Sequence, residues 1–120
     1  MVTNSILDSI KQMLGIDTTD TNFDRELVIY INGALMIINQ LGVGPSGYNI
    51  QDKTNTWDEF LIDRTDLELV KTCVYLRVRL VFDPPQNSFL VNAIKEQIAE
   101  YDWRIEINHK PETIVEEVME

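Results

Sequence analysis

The side chains in this chain that could do chemistry are few, and their spacing argues against an enzyme. The densest group is a set of carboxylates close in sequence: Asp52, Asp58, Glu59, Asp63 and Asp66. Carboxylate oxygens brought together can hold a hard divalent cation such as magnesium. Helix caps and solvated faces account for the same acids without a metal. His109 is the single histidine, and it stands beside Lys110 and Pro111 where a helix is ending. Alone there, it supplies neither a histidine-based triad nor a zinc site and reads as a surface cation at a helix C-terminus. Cys73 is the only cysteine, so there is no internal disulfide and no cysteine-based zinc site. It falls on an apolar helix face, which makes it an inert buried thiol. No phosphate-cradling glycine loop occurs, and Gly42-Val43-Gly44 reads as a helix stop followed by a turn. No catalytic, metal-ligating or cofactor-binding residue is assigned.

The elements that would carry such groups are helical. Glycine and proline are sparse, at 5 and 4 residues, and 44% of the chain is hydrophobic, enough for a real core in one domain. The expected fold class is all-α: a small bundle of four to five helices over residues 1–107, with one long loop at 43–55. A flexible acidic tail follows at 108–120. A first helix runs from about Asn4 to Leu14, with Thr3 as N-cap and Gly15 as the stop. A second runs from Asn22 to Leu41, capped by Thr21 or Asn22 and ended by Gly42. Its stripe is Phe23, Leu27, Tyr30, Ile31, Ala34, Ile37, Ile38 and Leu41, flanked by Val28 and Leu35 on one side and Ile29 and Met36 on the other. Gly33 inside it either permits a close helix contact or is tolerated at a cost.

The loop 43–55 is full of turn signals, and Tyr48 and Ile50 alternate with polar residues as a short strand would. Thr56 with Glu59 forms a capping box for a short helix bearing Trp57, Phe60 and Leu61. Thr65 with Glu68 forms another, opening a fourth helix that Asp83-Pro84-Pro85 stops at Phe82. Arg77 falls in the middle of that helix's apolar arc, so its stem packs and its head snorkels out or pairs with a carboxylate. The last long helix, capped by Asn87 or Ser88, reaches Ile107. Leu90, Ile94, Gln97, Ile98, Tyr101 and Ile105 line one face, while Trp103 points nearly opposite.

Two stretches, Leu27–Ile38 and Leu67–Phe82, are apolar almost all round. A chain of this size has room to surround one such helix, so two imply surface that meets another subunit. The net charge is −10, from 20 acids and 10 bases, which argues against a nucleic-acid-binding surface. No stretch reaches the roughly 20 apolar residues that span a bilayer. Met1–Gly15, carrying Asp8 and Lys11, does not read as a secretory signal.

The segments Ile31-Asn32 and Asn39-Gln40-Leu41-Gly42-Val43-Gly44, then Trp57-x-x-Phe60-Leu61, resemble the head–tail connector (adaptor) family of long-tailed bacteriophages. Val70-Lys71-Thr72, the run Tyr75 to Pro85, Ala93 to Ile98 and Trp103-Arg104 extend the resemblance in the same order over Ile6 to Ile107. Members are often labelled phage DNA-packaging proteins. The resemblance implies a small helical virion protein, assembled in the host cytoplasm, without catalytic residues. It implies a homo-oligomeric ring, a dodecamer being one candidate, at the head–tail interface. The ring would sit beneath the portal protein and dock the next connector or a tail-completion protein. DNA would pass through it without specific binding.

The expected subunit interface is Val28, Ile29, Leu35, Met36, Arg77 and Trp103. The expected partner-contacting residues are Tyr48 and Ile50 in the loop and Ile114, Val115 and Val118 in the tail. The rival reading is an acidic helical binding module, a DNA mimic or regulator, which would need carboxylates in regular surface rows.

Overall fold

Several helix ends in this protein lie where a particular side chain or backbone conformation satisfies free polar groups. The computed structural model describes residues 4–61 and 67–109. Helix α1 spans Ile6–Leu14, with the Ser5 hydroxyl accepting the Asp8 N–H at 3.2 Å and Gly15 closing the end at φ 81°. Asn4 is therefore not helical, as the sequence had suggested. Its carbonyl accepts the Trp57 N–H at 2.9 Å, and Ser5 and Thr56 make an isolated antiparallel bridge. Thr3, the expected cap, lies outside the described residues.

Helix α2 spans Asp24–Gln40, two residues later than expected at its start. The Asp20 carboxylate takes the Asn22 N–H at 3.0 Å and keeps Asn22 in a preceding turn, so neither Thr21 nor Asn22 caps the helix. Gly42, at φ 103°, follows its end.

Helix α3 is the short turn Trp57–Phe60, capped as expected by Thr56, whose hydroxyl accepts the Glu59 N–H. Helix α4 spans Leu67–Phe82, and Thr65 of its capping box lies outside the described residues. Helix α5 spans Ser88–His109, with the Asn87 carboxamide accepting the Phe89 N–H at 2.7 Å. It runs two residues past Ile107, and the acidic segment from Lys110 onward lies outside the described residues.

All regular elements among the described residues are helices, so the bundle is all-α. Helix α4 is central: it packs against α1, α2 and α5, and buries Val70, Cys73, Val74, Leu76 and Val78. Its apolar character on several sides is thus used inside the subunit. The core also takes Ile6, Leu7 and Ile10 of α1, Leu27, Ile31 and Leu35 of α2, and Trp57 and Phe60 of α3. Burying each such side chain contributes about 1.5–3 kcal/mol. The Trp57 indole N–H, deep in this core, donates to the Ser9 hydroxyl at 3.0 Å. A smaller cluster, Leu76 with Ile94 and Ile98, joins α4 to α5.

No strand forms in the loop. The Asn32 side chain instead supplies the pairing a neighbouring strand would give: it accepts the Ile50 N–H at 2.7 Å and donates to the Ile50 carbonyl at 3.0 Å. Asn39 donates to the carbonyls of Val43, Gly44 and Pro45 within 3.0 Å. Two α2 side chains therefore hold a long connection in one shape.

Candidate assembly surface

The exposed face of α2 is built by a mismatch between its composition and the number of neighbours it has. Helix α2 contacts α4 and α1, and these bury Leu27, Ile31, Ala34, Leu35 and Ile38. Ile29 and Met36 are left 63% and 58% exposed, one turn on either side of Gly33. Across from them on α4, Val81 is 58% exposed. Together with Leu80 and Ile98 these residues line an apolar groove of about 420 Å³, whose one charged lining residue is Arg77. A second recess of about 350 Å³ lies on the loop side of α2, between Asn32, Asn39, Gly47 and Tyr48. Gly33 and Met36 line both recesses, so the surface is continuous across α2 from the loop to α4.

Two exposed aromatics stand among charged residues on the outside of α5. Phe89 and Trp103 are 75% and 61% exposed, and at seven-residue spacing Glu96 falls between them on the same face. Trp103 sits with Leu69, Tyr101, Ile107 and the Glu100–Arg104 ion pair around a shallow recess.

Of the residues expected at the interface, Ile29, Met36 and Trp103 lie at the surface in this way. Val28 is half-buried against the core. Leu35 is fully buried, because α2 turns that flank rather than its Ile37 side toward the bundle. Arg77 pairs with Asp102 of α5, both side chains largely buried, so its head is neutralised within the subunit. In the loop, Tyr48 is half-buried over Phe60, with ring centroids 5.4 Å apart, and Ile50 is buried in the core. Ile114, Val115 and Val118 lie outside the described residues. Phe89 is exposed on the side of α5 that helical spacing gives to Trp103, whereas Val81 was not legible as surface. Helical spacing puts Val81 on one face with Val78, and the packing buries Val78 in the core while Val81, near the end of α4, stays exposed.

The chemically suggestive groups are placed as structural ones. Asp52 accepts the N–H and hydroxyl of Thr54, which hold its carboxyl below the usual range. Glu59 is held low by Asn55, then Tyr48, and Tyr48 is raised by burial and by Glu59. Asp58 accepts from the Asn4 amide at 2.8 Å, while Asp63 and Asp66 lie outside the described residues. The Cys73 thiol donates to Asp102 at 3.2 Å, and burial, then that carboxylate, push its pKa up to about 12. The buried charge of Lys11 was missed from sequence: its ammonium donates to Asp24 at 2.8 Å and to the Thr18 carbonyl at 3.1 Å. It joins α1, the following turn and α2, and no periodicity announces a contact made through a turn.

A protein-family model described as phage connector protein matches residues 6–112. No curated protein and no solved structure matches the chain.

Proposed function

The chain belongs to the phage connector protein family, and from that premise we propose that its copies form a ring beneath the portal at the head–tail junction. A connector is a structural part of the virion. In this reading the ring extends the DNA channel and docks the next connector or a tail-completion protein, and the subunits assemble in the host cytoplasm.

The observation that carries the proposal is that, among the described residues, large apolar side chains are exposed in two places: Ile29, Met36 and Val81 around the α2–α4 groove, and Phe89 and Trp103 on the outside of α5. Two different faces on one subunit suit a heterologous contact, in which one patch meets another head to tail and the series closes into a ring. The charge of −10 suits a channel that DNA must pass without sticking, because phosphate contacts need clustered Lys and Arg.

Mass determination of the purified full chain, alone and mixed with portal, tests the ring, and imaging of particles lacking the chain tests its place. The expected results are a ring or a portal-bound assembly, and particles whose heads lack joined tails. A chain that binds neither itself nor portal, and whose loss leaves particles intact, would refute the proposal. Basic residues lining the assembled channel would refute the reading of its charge.

A further inference from the structure

Helix α5 ends at His109, and the chain goes on from Lys110 to Glu120, outside the described residues. The family match stops at Glu112, short of residues 113–120. That segment is patterned in sequence. Pro111 has no N–H with which to continue α5 and disfavours a helical Lys110. Thr113 with Glu116 then forms a capping box, the signal for a new start. At about 100° per residue, Ile114, Val115, Val118 and Met119 share one side, and Glu116, Glu117 and Glu120 share the other. Connections of about 2–5 residues turn one helix back antiparallel on another, and residues 110–113 are of that length.

A chain reversed there arrives at the recess of about 480 Å³ on the outside of α5. Trp103 is 61% and Ile107 36% exposed, one turn apart on the same side, and Leu69 of α4 lines the recess with them. Glu100 and Arg104, also in the lining, are paired with each other at 3.0 Å, so what the recess lacks is an apolar partner. Residues 114–120 would span about 10 Å as a helix, and Trp103 lies about 9 Å back from His109 at the same rise per residue. The length of the segment matches the distance it has to cover. So short a helix is not stable alone in water and forms only against a surface.

We propose that residues 113–120 fold back over the Trp103 recess of the same copy and cover it until a partner displaces them. This goes beyond the connector reading: Trp103, expected at a subunit interface, is withheld from other copies in the free subunit.

The test compares tryptophan fluorescence of the full chain with that of a chain ending at Glu112. Removing residues 113–120 is expected to shift the emission to the red and to raise quenching by acrylamide. The same truncation in a Trp103→Phe background, where only the buried Trp57 emits, is expected to change neither. A full-length chain carrying Ile114→Asp and Val118→Asp should uncover Trp103 as the truncation does. Emission and quenching that the truncation leaves unchanged, or that the truncation changes and the aspartates do not, would overturn the cover. So would a cover that fades on dilution, which would place the segment on a second copy. The truncated chain should also associate with itself or with portal at a lower concentration than the full chain. Equal or weaker association would overturn the displacement, whereas the fluorescence results stand or fall whatever the chain assembles with.

Discussion

Replacing Asp24 by alanine should destabilise this subunit far more than an ordinary surface ion pair would. Lys11 is only 1% exposed, and its ammonium has two oxygen partners among the described residues, Asp24 and the Thr18 carbonyl. Removing the carboxylate leaves a buried cation with one neutral acceptor. Breaking a buried pair in this way costs about 3–5 kcal/mol. Asp24 is itself 30% exposed, so water can reach the vacated position, and the expected loss is about 2–3 kcal/mol. Lys11→Ala removes the charge but leaves a cavity the length of the stem, at about 2–4 kcal/mol. Lys11→Met keeps the stem's volume and removes the buried charge, while Asp24 turns to solvent. It should lie within about 1.5 kcal/mol of wild type. Urea unfolding followed by the fluorescence of the buried Trp57 measures all three. A loss below about 1 kcal/mol for Asp24→Ala, or Lys11→Met as damaging as Lys11→Ala, would refute the view that this pair is a buried electrostatic staple.

The same unfolding assay reaches the loop. Gly44→Ala puts a Cβ 2.5 Å from the Phe60 ring at φ +80° and should cost about 2–4 kcal/mol, whereas Gly47→Ala, at φ +77° with open space, should cost about 1–2 kcal/mol. Equal losses would show that backbone strain alone decides both. Asp17, Asp52 and Glu59 have folded pKa values lowered from 3.8, 3.8 and 4.5 by their turn and cap partners. Their stabilisation is present above those values and is lost as pH falls through the lower folded ones. Stability should therefore decline below about pH 4.5, and Glu59→Gln should flatten the upper part of that decline in acid titration of unfolding. Cys73 should resist a thiol reagent at pH 8 and react fully in denaturant, because burial suppresses the thiolate. Stoichiometric labelling of the native chain within minutes would contradict its placement.

The limits of the helices were legible because they are set by neighbours in sequence. Gly15, Gly42, Asn87, the Thr56–Glu59 box and Asp83-Pro84-Pro85 each act within a few residues of the end they cap or stop. The two misplaced starts have the same explanation in reverse: a partner 53 residues on in sequence claims Asn4, and an aspartate turn holds Asn22 outside its helix.

The candidate surface was only partly legible. A helix as uniformly apolar as α2 offers more than one face to a core, and periodicity cannot choose between the Leu35 flank and the Ile37 side. The same holds for Ile50 and Arg77, whose partners Asn32 and Asp102 are 18 and 25 residues away. By itself the sequence determined the all-α class borne out by the described residues, and a chain more apolar on two helices than one small bundle can use. Ile29 and Met36 were already expected at the surface, and only the tertiary structure decided that Leu35 and Arg77 are taken up inside the subunit. Helix α4 is enclosed by three neighbours and keeps most of its apolar surface inside, while α2 has neighbours on only part of its circumference and leaves Ile29 and Met36 exposed.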